Sequence, residues 1–213
     1  MNNWQTYLVT QASVSGDRST LEVVEGAIAG GIDVVQLREK GVDARSRYEL
    51  GVELRELTAA HDVPLLVNDR ADLAAAIDAD GVHLGQSDLP IEAARELLGE
   101  DAIVGCSASR VSAARAAVNA GVDYLGVGAV YETTSKDVSG DRNGIGLDRV
   151  SVIAEAVDVP IVAIGGITAQ NAAAVRTAGA DCVAVVSEIA AAEDPEAATR
   201  SLVAAGTGVS ADV

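Results

Sequence analysis

Phenylalanine is absent from the chain, and tryptophan occurs once. A core without large aromatics has to be built from Ala, Val, Leu and Ile, which suits strands and helices packed in layers. Lysine is almost as scarce, with Lys40 and Lys136 the two in 213 residues. No run of Lys or Arg exists and the formal net charge is −17, which argues against a nucleic-acid partner bound through a basic face. Cysteine is limited to Cys106 and Cys182. Each lies within or beside an apolar run, so they read as buried free thiols and not as a secreted disulfide scaffold. No apolar run approaches the ~20 residues that cross a bilayer. The opening Met1-Asn2-Asn3-Trp4-Gln5 shows no basic segment followed by an apolar one, so no signal peptide is read there. A soluble, cytoplasmic protein without a membrane partner is expected; the sequence leaves a homo-oligomer open.

What is abundant is acid and small hydrophobic side chains. Acidic excess, scarce Lys and plentiful Ala together suggest a protein adapted to high salt. In about 1 M salt the Debye length shrinks to about 3 Å, so surface carboxylates repel one another little.

Short apolar runs rich in Val and Ile alternate with longer Ala-, Leu- and Glu-rich segments from end to end. The runs at Thr6–Val9, Val34–Leu37, Leu65–Val67, Gly81–Leu84, Ile103–Gly105, Tyr124–Val127, Ile161–Ile164 and Cys182–Val186 read as strands. Helical segments are expected at Leu21–Ala29, Ala44–His61, Ala71–Ile77, Ile91–Leu98, Val111–Asn119, Leu147–Ala156 and Asn171–Ala178. A last helix at Pro195–Ala204 would be capped by Asp194. A local repeat marks the helix ends: Ala29-Gly30-Gly31-Ile32-Asp33, Ala120-Gly121-Val122-Asp123 and Ala178-Gly179-Ala180-Asp181, with Asp78-Ala79-Asp80-Gly81 as a looser copy. Gly supplies a left-handed helix stop and Asp turns the chain into the next strand. Eight strands each followed by a helix argue for an α/β fold, a single (β/α)8 TIM barrel over residues 1–213 with a frayed tail at 206–213. A doubly wound open sheet is the alternative, but no nucleotide-type glycine fingerprint follows the first strand.

In such a barrel the functional site lies at the strands' C-terminal ends. Those ends carry Gln36, Arg38 and Lys40, then Asn68-Asp69-Arg70, then His83 to Asp88, Ser107, the Tyr131–Asp137 segment, Gly165-Gly166 and Ser187. Alternation puts Gln36, Arg38 and Lys40 on one strand face and Leu37 and Glu39 on the other. Asp69 and Asp88 are candidate metal ligands, because Mg²⁺ takes few protein carboxylates and leaves room for water and phosphate oxygens. Each also reads as a helix cap, Asp88-Leu89-Pro90 especially. Arg38, Lys40 and Lys136 would balance the charge of a diphosphate. Gly165-Gly166, with Val186-Ser187, falls where barrels bind phosphate through backbone N–H groups. His83 has no His/Cys cluster or Ser-His-Asp order around it and reads as a hydrogen-bonded structural histidine. Cys106 lacks a partner base, so no thiol nucleophile is expected. The connection 128–146 is long and polar, as lids and binding loops often are.

Together, Q-L-R-E-K at 36–40, V-N-D-R at 67–70, V-H-L-G-Q-S-D at 82–88, G-C-S at 105–107, T-T-S-K-D at 133–137 and A-I-G-G-I at 163–167 resemble the thiamine-phosphate synthase family, in order along nearly the whole chain. The resemblance implies a TIM-barrel transferase that joins 4-amino-2-methyl-5-hydroxymethylpyrimidine diphosphate to 4-methyl-5-(2-hydroxyethyl)thiazole phosphate and releases diphosphate. Carried over by position, Gln36, Arg38, Lys40, Asn68, Ser107 and Lys136 would meet the pyrimidine diphosphate. Arg38, Lys40, Ser107 and Lys136 would act in catalysis. Asp69 and Asp88 would hold Mg²⁺, and Thr133, Ser135, Gly166, Val186 and Ser187 would meet the thiazole phosphate. The family usually has Pro-Thr-x-Thr where this chain has Glu132 and Ser135; Ser keeps the hydroxyl, while Glu132 replaces a rigid residue. Two other readings compete, a related thiazole tautomerase and a non-catalytic phosphate-ligand barrel. The paired acids and the cations favour the synthase over both.

Overall fold

A computed structural model describes residues 4–133 and 143–207. Its strands are β1 Thr6–Val9, β2 Val34–Leu37, β3 Leu65–Asn68, β4 Gly81–Leu84, β5 Ile103–Ser107, β6 Tyr124–Gly128, β7 Ile161–Ile164 and β8 Cys182–Val185. Each pairs in parallel with its sequence neighbour, and β8 returns to β1 to close the barrel. The helices are α1 Thr20–Ala29, α2 Ala44–Ala59, α3 Ala71–Ala76, α4 Ile91–Leu98, α5 Val111–Asn119, α6 Gly146–Ala154, α7 Ala172–Thr177, α8 Ser187–Ala190 and α9 Pro195–Thr207. Closed sheet, parallel pairing and alternating helices make the (β/α)8 barrel that the alternation of runs implies.

Strand alternation divides the core into two shells. Leu8, Val35, Val67 and Leu125 face outward into the helix layer. Tyr7, Val9, Val34, Leu66, Tyr124, Val162 and Ala184 fill the barrel interior. A fully buried Leu such as Leu54 of α2 is worth about 1.5–3 kcal/mol over its exposed state, so the outer shell supplies most of the cohesion. Helix starts are locally encoded. Ser19 and Glu22 form a reciprocal capping box at α1, and Asp43 accepts from the Arg45 and Ser46 N–H groups at α2. Ser19→Ala removes the first of these at a cost of about 1 kcal/mol.

The helix-end repeat becomes a structural device. Gly31, Gly121 and Gly179 take φ of 91°, 90° and 103°. The Asp that follows each of them, and Asp80, accepts an N–H from the first or second residue of the strand before its own. Asp33 accepts from Thr6 N at 2.8 Å, Asp80 from Leu65 N at 2.8 Å, Asp123 from Val104 N at 2.7 Å and Asp181 from Ile161 N at 2.8 Å. The bottom of the barrel is thus laced by a four-fold repeat that ties β1, β3, β5 and β7.

Two expectations need correction. α8 is an additional helical turn after β8 where the sequence suggested only a strand end. α9 runs to Thr207, past the point where fraying was expected from Gly206. Asp194 caps its start through Ala197 N at 3.0 Å, and Leu202 is fully buried, so packing carries the helix through a weak helix former. The rest of the expected frayed tail lies outside the described residues. Elsewhere element ends coincide with the expected ones or shift by one or two residues.

Candidate active site

At the C-terminal ends of the strands opens a pocket of about 410 Å³, within the usual range for small-ligand sites. Arg38, Lys40, Asn68, Asp69, Asp88, Ser107, Thr133, Gly166, Val186 and Ser187 all line it. Gln36 does not. It is 3% exposed and borders a cavity of about 20 Å³ with Tyr7, His83 and Tyr124, one side-chain layer below the strand ends. Ser135 and Lys136 lie outside the described residues, as does the middle of the 128–146 connection.

At the end of β2 the two faces do what alternation requires. Arg38 is 7% exposed; its N–H donates to Thr10 Oγ1 at 3.0 Å and its Nη1 to Gln11 Oε1 at 3.1 Å. Glu39 turns away from the pocket, accepting from Ala12 N at 2.9 Å and Thr20 Oγ1 at 3.2 Å. The carboxylate next to the cations in sequence is therefore spent on anchoring the first loop, and does not neutralise Arg38 or Lys40.

Asp69 sits in a left-handed conformation (φ 64°), its N–H donating to His83 O at 2.8 Å. Its Oδ2 lies 3.1 Å from Lys40 Nζ. Asp88 Oδ2 accepts from Gly85 N at 2.6 Å. Burial, and then the neighbouring Asp69 carboxyl in hydrogen-bond contact, push the Asp88 carboxyl above its ordinary pKa, against the pull of the Gly85 N–H and Lys40. Neither acid caps a helix. α3 begins after Arg70 and α4 after Pro90, both without a side-chain cap bond. Two carboxyls brought together call for a proton or a cation between them. Among the described residues no cluster of three or more His, Cys, Asp or Glu forms a metal site. A pair of carboxylates fits a hard cation that takes its remaining ligands from water and phosphate oxygens, so the residues present suit Mg²⁺ with a diphosphate.

On the opposite wall Gly165 and Gly166 have φ of 108° and 63°, and a Cβ on Gly166 would lie 2.7 Å from Tyr131 Cβ; only Gly fits. Asn171 staples this loop, Oδ1 accepting from Thr168 N at 2.8 Å and Nδ2 donating to Gly166 O at 3.0 Å. Glu188 of α8 holds Ala169 N at 2.9 Å. The first N–H groups of a helical turn have no internal acceptor, and α8 brings Ser187 and Glu188 to this wall. His83 is buried and hydrogen-bonded, as expected. Burial pushes the Cys106 thiol up, consistent with an inert sulfur.

The family model described as thiamine monophosphate synthase matches residues 6–189. The chain belongs to the thiamine monophosphate synthase family. A thiamine-phosphate synthase of Natronomonas pharaonis is 62% identical over 207 residues, 97% of each chain. One from Haloarcula marismortui is 60% identical over 203 residues, 95% of this chain and 96% of its own. A solved structure described as thiamine phosphate pyrophosphorylase from Pyrococcus furiosus has a TM-score of 0.87 at 39% identity, covering 98% of both chains. The chain is thus an enzyme of a transferase family.

Sequence reading alone gave no role to several residues of this family member's site. Gln11 supports Arg38, Gln86 Nε2 donates to Ser107 O at 2.7 Å, and Tyr7 and Tyr124 lie under the pocket. The tyrosines left a signal: two of four Tyr in a chain without Phe, each inside an otherwise aliphatic strand.

Proposed function

We propose that the protein condenses 4-amino-2-methyl-5-hydroxymethylpyrimidine diphosphate with 4-methyl-5-(2-hydroxyethyl)thiazole phosphate, giving thiamine phosphate and diphosphate by dissociative substitution. The observation that carries this reading is the facing pair Asp69 and Asp88 with Lys40 and Arg38 beside them, across one pocket from the Gly166 and Ser187 wall. One side offers a site for a diphosphate and the other for a monophosphate.

Asp69 and Asp88 would hold Mg²⁺, which when bound offsets negative charge on the leaving diphosphate. Arg38, fixed by Thr10 and Gln11, and Lys40 add positive charge that need not reorganise as the C–O bond breaks. Lys136 is assigned the same task. The pyrimidinylmethyl cation left behind is resonance-stabilised, so no nucleophilic side chain is required. Asn68 and Ser107 orient the pyrimidine, with Gln36 one side-chain layer below them. Thr133, Ser135, Gly166, Val186 and Ser187 hold the thiazole phosphate so that its ring nitrogen captures the cation. A tautomerase would need neither the paired acids nor the cations, and a phosphate sensor would not need two anion sites.

The direct test is product formation by the purified protein in salt. Thiamine phosphate and diphosphate should appear together, from both substrates, and only with Mg²⁺. Absence of product overturns the reading. A cytoplasmic location and adaptation to high salt belong to the same proposal. Activity and melting temperature should both rise from dilute buffer to molar salt, and best performance in dilute buffer would refute the adaptation.

A further inference from the structure

Beneath the pocket floor runs an unbroken file of five hydrogen-bonded side chains from four strands and the end of a fifth. Gln36 Nε2 donates to Tyr7 Oη at 2.6 Å, Tyr7 Oη lies 3.1 Å from Tyr124 Oη, Tyr124 Oη 2.9 Å from His83 Nδ1, and His83 Nε2 2.9 Å from Ser107 Oγ. The interior members are buried, Tyr7 at 1%, Tyr124 at 0% and His83 at 6% exposed, and His83 reaches the pocket lining beside Ser107. Space is reserved for them. A Cβ on Gly105 would come within 2.1 Å of the Tyr124 ring, and one on Gly126 within 2.6 Å of the His83 ring. His83 stacks on Tyr124 with centroids 5.5 Å apart.

Hydrogen counting gives the file a direction. Each phenol has one hydrogen to give and lone pairs to receive, and burial keeps both phenols protonated. Tyr7 already accepts from Gln36, and Tyr124 is its other partner among the described residues. An orphaned buried donor is costly, so Tyr7 gives its hydrogen to Tyr124. Tyr124 then gives its own to His83 Nδ1. An imidazolium at His83 would send hydrogens both ways and strand one tyrosine hydrogen without an acceptor. The imidazole is therefore neutral with its hydrogen on Nε2, and donates to Ser107.

We propose that this file locks Ser107 as a hydrogen-bond donor toward the pocket, with Tyr7, Tyr124 and His83 as positioning residues that set its polarity from Gln36. Ser107 Oγ receives the His83 N–H, so its own hydrogen is left for an acceptor on the ligand, a ring nitrogen or a phosphoryl oxygen. The assignment of Ser107 to the pyrimidine substrate rests on the proposed function; the direction of the file does not.

The tautomer of His83 is the readout. The full-length ¹⁵N-labelled protein carrying His61→Gln has one imidazole left, because His61 and His83 are the two histidines of the chain, and His61 is exposed at the end of α2, away from the pocket. Two-bond ¹H–¹⁵N spectra without substrate should show the Nε2–H form; the Nδ1–H form or imidazolium overturns the proposal. Gln36→Glu, read at a pH high enough to ionise the introduced carboxyl, replaces the donor with a group that only accepts, so Tyr7 must turn toward it and the tautomer should switch to Nδ1–H. A folded variant that does not switch overturns the coupling. Tyr124→Phe is nearly isosteric and tests the file even if a buried carboxylate at position 36 prevents folding. It should mix the tautomers and lower kcat about tenfold with KM nearly unchanged, while Tyr7→Phe keeps the tautomer. Unchanged tautomer and kcat in Tyr124→Phe would overturn the proposal. An inactive wild-type protein with the Nε2–H form would sink the synthase reading alone.

Discussion

The two ends of this barrel use the same residue, aspartate, in opposite ways. At the bottom, Asp33, Asp80, Asp123 and Asp181 each have backbone N–H groups aimed at them, and Asp33 also takes the Thr6 hydroxyl at 2.9 Å. Two gain a guanidinium as well, Asp80 from Arg55 at 3.3 Å and Asp123 from Arg95 at 2.8 Å. At the top, Asp69 and Asp88 face each other, and burial with mutual repulsion works against ionisation at Asp88. A carboxylate surrounded by donors stabilises the fold. A pair turned on each other costs stability and persists where a ligand is to be held.

That contrast can be broken first at the top. Asp69→Asn and Asp88→Asn are each expected to lower kcat/KM by a hundredfold or more, on the order of the loss of a principal electrostatic group, without loss of thermal stability. Steady-state kinetics beside a thermal melt checks both halves. Lys40→Ala should follow with a loss of about ten- to a hundredfold. At 58% exposure its pair with Asp69 is worth only about 0–1 kcal/mol to the fold, so the urea midpoint should hardly move.

At the bottom the signs reverse. Asp33→Ala strips the acceptor from Gln5 N, Thr6 N and the Thr6 hydroxyl and should cost on the order of 3 kcal/mol, with kcat/KM unchanged at a temperature where the variant is folded. Urea unfolding monitored by circular dichroism measures it, and a catalytic defect in folded protein would erase the distinction between the two ends.

The smallest effect is a pH signature at Asp88. Its folded pKa is raised, so the native state holds that proton more tightly than the unfolded chain does. The associated stability is complete below the unfolded aspartate value of about 3.9 and is lost as pH rises through the folded value. Asp88→Asn stays neutral throughout. With chelator present, the variant should be more stable than the parent near neutral pH, and the advantage should vanish in acid below the ordinary aspartate range. Denaturant midpoints across pH decide it; parallel curves would remove the strain assigned to the pair.

Much of this was legible in the residues because the determinants are local. The Gly-x-Asp repeat specifies a helix stop and a strand start within a few positions, so β1 to β8 and α1 to α7 lie within two residues of where patterning puts them. The top of the barrel was legible as a list of residues, since parallel strands of a barrel present their C-terminal ends together. Whether Asp69 and Asp88 are caps or partners was not legible. The same short segment permits either, and the choice depends on the left-handed turn at Asp69 and the Gly85 N–H that takes Asp88. α8 escaped for a similar reason, being too short for periodicity to show.

By itself, the sequence determined the barrel, its number of strands and the chemical character of its open end, because strand alternation and helix capping act over neighbouring residues. Only the tertiary structure decided how those residues meet. Closing the sheet brings Tyr7 and Tyr124, 117 positions apart, to a 3.1 Å contact, and sets Gln36 beneath the pocket instead of in its wall. Long-range hydrogen bonds depend on register and curvature summed over all eight strands, which no local stretch of chain encodes.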